Sequence, residues 1–323
     1  MGDQSLMNHR NKTLALFQRI FGDRLRSAMP MDELTTLRAG GLAELFLETS
    51  RPDDLVVAVK VTLEQGVPLT VLGGGSNVLV GDGGLRGLVV RLRHGGIFRA
   101  GSHHVRAEGG VTMNGLVRWT IQRELAGLER WAGTPGSIGG AIHGNAHFDG
   151  RLVSDIVSSV GLVDSTGAVR SVSQADMCFG YDDSRVKHSD ERVLWAEFKV
   201  AEGDPTVLRA SARRSLGFRK STQPLGLASA GCVFQNPRLE DGPLPDDVPR
   251  SAGALIEQAG LKGRRVGRAV VSSVHGNFIV NEGGATAYDI RQLVEICRAA
   301  VFDCFGIVLR DELVYLGEFD SEL

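Results

Sequence analysis

Residues 72–80 read Leu72-Gly73-Gly74-Gly75-Ser76-Asn77-Val78-Leu79-Val80, a glycine run set between two apolar stretches. Pro68 to Leu72 has the pattern of a buried strand and Val78 to Val80 reads as strand again, so the glycines form a loop at a strand end. Successive glycines let backbone N–H groups converge on an anion with no Cβ in the way, and Ser76 and Asn77 add side-chain donors. The loop lacks the Lys-Ser/Thr ending of a Walker A sequence, and Val78 stands where GxGxxG needs its last glycine. On these residues alone a phosphate cradle and a plain tight turn both remain open.

A second glycine-rich stretch centres on Pro135, Gly136, Ser137, Ile138, Gly139, Gly140 and Ala141, followed by Asn145 and Ala146. Glycine makes up 42 of the 323 residues, about 13% against a ~7% background, and no repeat period organises it. Two such loops, each beside apolar strands, have the reach to clasp one extended ligand with a diphosphate, which is the shape of a dinucleotide cofactor.

Outward from these loops the texture is α+β. Leu45 to Glu48 reads as strand, and Pro52 with Asp53 and Asp54 opens a helix, as proline and acids do in a first turn. Upstream, Leu14, Phe17 and Phe21 recur at helical spacing and predict an amphipathic helix over Asn11 to Phe21, an appendage within residues 1–25. Downstream, strands are expected at Val160 to Val163, Val169 to Val172 and Val193 to Val200. Around Gly203 to Pro205 the texture shifts, and the helix-like stretch Thr206 to Arg219 opens a second domain. Residues 223 to 250 hold Pro224, Pro237, Pro243, Pro245 and Pro249 and read as a loop system. Ala252, Leu255, Ile256 and Ala259 mark a short helix. Thr286 caps a longer one, whose stripe of Ile290, Leu293, Val294, Cys297, Val301, Cys304 and Phe305 makes both cysteines core thiols.

Lys plus Arg number 36 and Asp plus Glu 38, with no long single-sign run, so the footprint of a nucleic-acid binder is missing. The polar N-terminus and the shortness of every apolar run predict neither export nor membrane insertion. Cys178, Cys232, Cys297 and Cys304 form no CxxC pair and read as free thiols of a reducing cytoplasm. His143 and His147 are four apart, but Gly144 and Asn145 between them argue against a shared helix, and no metal site is expected.

Six segments, LGGGSNVLV (72–80), GTPGSIGGAIHGNAH (133–147), FGYDDSRVK (179–187), SAGCVFQNP (229–237), HGNFIVNEGGATA (275–287) and FGIVLRDELVYLGE (305–318), occur in this order. Together they resemble the bacterial UDP-N-acetylenolpyruvoylglucosamine reductase family, over about residues 30 to 318. The resemblance implies an FAD-binding region of the vanillyl-alcohol-oxidase type at 26–203 and an α+β substrate-binding domain at 204–323. It implies FAD and NADPH as cofactors, a nucleotide sugar as the partner, and a cytoplasmic step in peptidoglycan precursor synthesis. In that reaction hydride passes from NADPH to the flavin and on to an enolpyruvyl double bond, and an acid protonates the neighbouring carbon. The motif matches imply cofactor contacts at Gly73, Gly74, Gly75, Ser76, Asn77, Gly136, Ser137, Gly139, Gly140 and Asn145, and substrate contacts at Tyr181, Arg219 and Asn236. The tyrosine-bearing insertion of the family's longer class is missing, which implies the shorter class. Oligomeric state is not legible.

The catalytic positions match with departures. The family's acid, normally serine, is Cys232, whose thiol is protonated at neutral pH and gives up its proton at modest cost. Glu312 matches the family carboxylate. Where the family has arginine after the tyrosine, Asp182 follows Tyr181, and an acid there repels a substrate carboxylate and a developing enolate. Arg185, or else Lys187, is expected to supply the missing cation. Thr222 replaces a common lysine. The alternative implied by Asp182 is a flavin-binding paralogue with altered or lost reductase activity.

Overall fold

Apolar residues run almost unbroken through the strands Leu42–Thr49 and Leu85–Leu92, as strands covered on both faces require. The two pair in parallel at the centre of a four-stranded sheet, flanked by Leu25–Pro30, which is antiparallel to its neighbour, and by the parallel strand Leu69–Leu72. Helix Pro52–Gln65 starts on its proline with two acids in the first turn and ends at Gly66 in the left-handed conformation. Its Leu55, Ala58 and Val59 meet Leu47, Leu88 and Val90 of the sheet. The structure, a computed structural model, describes residues 2–244 and 248–319, with side chains from residue 11 onward, so Pro245 lies outside the described residues. The N-terminal helix, Gly2–Phe21, is longer than its apolar spacing predicts, and it seats Phe17 and Phe21 in the core of this first sheet.

A second sheet holds five antiparallel strands in the order Val169–Ser173, Val157–Val163, Arg192–Lys199, His104–Glu108 and Ile97–Arg99. Helices Met113–Ile121 and Ile138–His143 bury Leu116, Val117, Ile138 and Ile142 in its core. Helix Pro205–Thr222 is capped by Asp204, whose carboxylate accepts from the backbone of Thr206 and Val207. This helix, expected to open the C-terminal domain, sends Leu208 and Ala212 into the core of the second sheet.

The remaining chain builds a small antiparallel sheet in the order Ala228–Ser229, Ile279–Asn281, Ala269–Val271 and Arg265–Val266, with helices Ala252–Gln258 and Ala287–Phe305 sharing its core. Thr286 caps the longer helix as expected, in a reciprocal capping box with Asp289. Cys297 lies in the core, but Cys304 is exposed, which corrects its placing on the buried stripe. It lies two residues before the C-cap Gly306, in a last turn where Phe302 and Asp303 are also exposed while Phe305 packs on the core. Among the described residues no helix is long and apolar enough to cross a membrane, and no group of three or more His, Cys, Asp or Glu is arranged to hold a metal.

Three links join this unit to the first sheet. Val314–Leu316 pairs in parallel with Val78–Val80. Asp82 accepts from the backbone of Ala287 and Tyr288, each at 2.9 Å, and so places a carboxylate on the N-terminus of the long helix. Buried Asn281 donates to the carbonyls of Leu37 and Arg38 and accepts from the backbone of Gly283 and Ala285. Asn281→Ala strands those four backbone groups in the interior, and a loss of about 3 kcal/mol is expected from a urea unfolding curve. A loss under about 0.5 kcal/mol would show the link to be dispensable.

Candidate active site

The two glycine loops touch. A Cβ added to Gly74 would lie 2.7 Å from the Cα of Gly136, and one on Gly73 would lie 2.4 Å from the Oγ of Ser137. Gly75 and Gly136 have φ of 65° and 95°, which only glycine adopts without strain. Thr36 fixes the first loop, donating from its backbone N–H and its hydroxyl to the Gly75 carbonyl. Ser137 starts helix Ile138–His143 and accepts from the backbone of Gly140. At Gly73 and Gly74 the space a side chain would need is taken by the other loop, so the glycines are what let the two loops pack backbone to backbone.

Asn77 and Asn145, expected as cofactor contacts, also tie distant parts of the chain together. Asn77 donates from its side chain to the Glu312 carbonyl at 2.9 Å. Buried Asn145 donates to the Gly180 carbonyl at 2.6 Å and accepts from the backbone of Ser154, so its amide holds the chain before Tyr181 in place.

Cys232 and Glu312, 80 positions apart in sequence, come together because residues 233–235 pair with 310–312. The Val233 carbonyl accepts from the backbone of Glu312 at 2.9 Å, and Gln235 donates to the Arg310 carbonyl at 2.9 Å. Asn277 locks the cysteine loop from behind, accepting from the Phe234 backbone N–H and donating to the Phe234 carbonyl. Both catalytic candidates keep part of their surface accessible although protein surrounds them on nearly every side. Burial, with the Asp182 carboxylate adding to it and the Lys187 ammonium opposing, holds the Glu312 carboxyl up at about 8. Burial also drives the Cys232 thiol far above its ordinary range; Glu312 adds to this, and Arg219 opposes it. Proton release from Cys232 is therefore costlier than the unperturbed thiol value implies.

Segment 179–187 brings Tyr181, Asp182 and Lys187 to the same place. The Tyr181 hydroxyl accepts from the Asn236 backbone at 3.4 Å, and its ring lies against His147 with centroids 4.7 Å apart. Burial first, and Glu312 second, push the Tyr181 phenol up to about 12. Asp182 is 4% exposed and has φ of 49°. Its carboxylate meets the Lys187 ammonium at 2.9 Å and the Gln235 amide at 2.9 Å. Arg185 does not join them, which corrects its expected catalytic role. Its guanidinium holds Glu191 at 2.6 Å, and Asp176 is the other acid near it. The nearly buried Glu191 also draws in Arg170, and this satisfied pair keeps Arg185 turned away.

Arg219 is 5% exposed and rests on the Phe148 ring, its guanidinium carbon 3.7 Å from the centroid. It donates to the Thr134 hydroxyl at 2.9 Å, and among the described residues it has no carboxylate partner and its buried Nε has no acceptor. Burial lowers it to about 10, so it stays cationic at neutral pH. An unpaired buried cation beside Cys232 is a place for an anion. Asn236 accepts from the Ala252 backbone, joining the cysteine loop to the short helix. Thr222 bonds back to the Phe218 carbonyl within its own helix. The sequence reading missed Gln235 and Asn277, although both lie inside quoted segments, because neither carries a charge that marks it.

Paired glycine loops, a buried cation and two buried acids meet at one place, a site suited to an extended anionic ligand. Residues 43–173 match the family model described as an FAD binding domain, and residues 223–316 match that of the UDP-N-acetylenolpyruvoylglucosamine reductase C-terminal domain. Reductases of that name from Heliobacterium modesticaldum and Syntrophus aciditrophicus are 38% and 37% identical over 297 residues each, covering 91% and 90% of this chain and 91% of each relative. The crystal structure of the reductase from Thermus caldophilus superposes with a TM-score of 0.74 at 29% identity, covering 91% of this chain and 98% of that one. The chain belongs to the UDP-N-acetylenolpyruvoylglucosamine reductase family. Its fold is the α+β one expected, an FAD-binding region of the vanillyl-alcohol-oxidase type followed by an α+β substrate-binding region.

Two outcomes test this site. Gly74→Val forces the two loops apart, and the purified variant is expected to lose the flavin absorbance near 450 nm; full flavin content would remove the loop from the cofactor site. Glu312 binds its proton more tightly folded than unfolded, its value moving from 4.5 to about 8. Its contribution to stability is therefore present below 4.5 and lost as pH rises through 8. Glu312→Gln keeps a neutral group throughout, so its unfolding midpoint should gain on wild type as pH rises across that window; parallel midpoints would contradict the burial of the carboxyl.

Proposed function

We propose that this chain, with FAD bound, uses NADPH to reduce UDP-N-acetylglucosamine enolpyruvate to UDP-N-acetylmuramate, a cytoplasmic step in peptidoglycan precursor synthesis. The observation that carries the reading is the meeting of Cys232 and Glu312 at the edge of the glycine cradle, through the pairing of 233–235 with 310–312. The loops containing Gly73 to Ser76 and Gly136 to Gly140 would hold FAD, which when bound would supply the hydride chemistry between NADPH and the enolpyruvyl double bond.

Cys232 is the proton donor to the carbon next to the one that takes hydride. Its raised pKa keeps the S–H intact until that carbon gains electron density, and the nearby Arg219 stabilises the thiolate left behind. Glu312 is a neutral acid below about 8 and donates a hydrogen bond to the anionic end of the substrate, which an ionised carboxylate would repel. Arg219 receives an anionic group of the substrate, and Tyr181 and Asn236 line its approach. Asp182 argues less strongly for a paralogue without activity than its charge suggests, since Lys187 and Gln235 satisfy both its oxygens.

The test follows flavin colour in a stopped-flow instrument. NADPH should bleach the wild-type protein and the enolpyruvyl nucleotide should restore its colour. Cys232→Ala should leave bleaching nearly unchanged and slow recolouring about 100-fold or more, and Cys232→Ser should recover much of the rate. Equal slowing of both steps would count against Cys232 as the donor.

A further inference from the structure

The buried Asp182 brings a second charged residue into the site, and its geometry specifies what that residue does. Resting on the reading of the reaction above, we propose that Lys187 is the cation that meets the anionic end of the substrate beside Glu312, and that Asp182 is the positioning residue that holds it there.

Four observations support this. Arg185, the other cation of the segment, is held by Glu191. The Lys187 side chain is only 18% exposed and its ammonium donates both to the Asp182 carboxylate and to the Asp182 carbonyl. An ammonium has three N–H donors, so one remains for a ligand. Gln235 bonds the same carboxylate and also the Asp311 carbonyl, and thus braces Asp182 against the strand segment that carries Glu312 and the loop that carries Cys232. The left-handed backbone at Asp182 lets one residue offer its carbonyl and its side chain to the same ammonium. A lysine pinned at two points is pre-organised as a rigid group would be, although its own stem is flexible.

The charges facing Glu312 are those of Asp182 and Lys187, with the titratable groups Tyr181 and Cys232 on its remaining sides and Arg219 beyond the cysteine. Lys187 also faces His143, which burial and that ammonium hold down at about 4, so the histidine is neutral and does not compete as a cation.

The experiment compares holoenzyme of wild type, Lys187→Met, Lys187→Arg, Asp182→Asn and Arg185→Ala, each checked for full flavin content. Calorimetric titration of the oxidised forms with the enolpyruvyl nucleotide reads Lys187 whether or not turnover occurs. Lys187→Met should weaken binding about 10-fold or more, the worth of one hydrogen bond to a charged group, and Lys187→Arg should recover part of it. Recolouring of the reduced protein should slow about 100-fold in Lys187→Met and stay within about threefold in Arg185→Ala. Asp182→Asn releases the Lys187 ammonium, so binding should weaken about as much as in Lys187→Met, and the double variant Asp182→Asn/Lys187→Met should bind no worse than Lys187→Met alone, a non-additivity that loss of scaffolding elsewhere does not produce. Binding and recolouring of Lys187→Met within about threefold of wild type would overturn the proposal, as would additive losses in the double variant. Wild-type protein that binds the nucleotide but is never recoloured by it would instead overturn the reading of the reaction, with the titration still deciding Lys187.

Discussion

Everything at the site depends on the chain's last strand returning to its first glycine loop. Val314–Leu316 lies in parallel beside Val78–Val80, the Val314 N–H donates to the Asn77 carbonyl, and the Asn77 side chain donates to the Glu312 carbonyl. A parallel pair cannot be closed by a short turn, so the intervening chain must build a structure that delivers the strand back. Here that structure is the second sheet and the whole C-terminal unit. The return fixes Glu312 against the cofactor loop, and the antiparallel pairing of 310–312 with 233–235 then fixes Cys232 against Glu312. Asp82 and Asn281 hold the same junction from its other side, so the site is bound where two units meet and inherits rigidity from both.

That junction is also where charge is taken out of water. Cys232 and Glu312 are protonated at neutral pH because burial disfavours their anions, and an acid that must wait for its substrate gains from such an environment. The same burial makes an unpaired ion costly, so each ion that remains needs a reason. Asp182 has Lys187 and Gln235. Arg219 has an aromatic face, one hydroxyl and, among the described residues, no counterion, and its positive charge suits a site for anionic ligands.

The strands beside Gly73 to Asn77, the helix opening at Pro52 and the cap at Thr286 were legible because each rests on local chemistry: apolar runs, a proline at a first turn, a hydroxyl three residues before an acid. The meeting of Cys232 and Glu312 was legible only through resemblance, since no local pattern reports a pairing across that separation. What failed did so for a nonlocal reason. Arg185 and Lys187 are two residues apart and equally cationic in sequence, and the choice between them is made by Glu191, which captures the first, and by Asp182, which captures the second. The backbone partners of the Asn77 and Asn145 side chains, drawn from other parts of the chain, were likewise out of reach of any local pattern. Cys304 obeys the helical spacing, yet it is exposed in the helix's last turn.

An acid in place of an arginine appears in sequence as a reversal of charge at one position, a change of two units. In the folded site the reversal is smaller, because the carboxylate at Asp182 is already neutralised by the ammonium it holds. A lysine pinned by an aspartate presents to its surroundings a dipole with a free N–H rather than a full charge, and Glu312 feels both ends of it in opposite directions. Such a pair stabilises a developing negative charge less strongly than a lone guanidinium, while it desolvates at lower cost. The protonated Glu312 and the unpaired Arg219 can make up the difference, since one adds a neutral donor and the other a whole positive charge. Electrostatic stabilisation in this site is therefore shared among several groups, and the identity of the residue after Tyr181 matters less than what that residue holds in place.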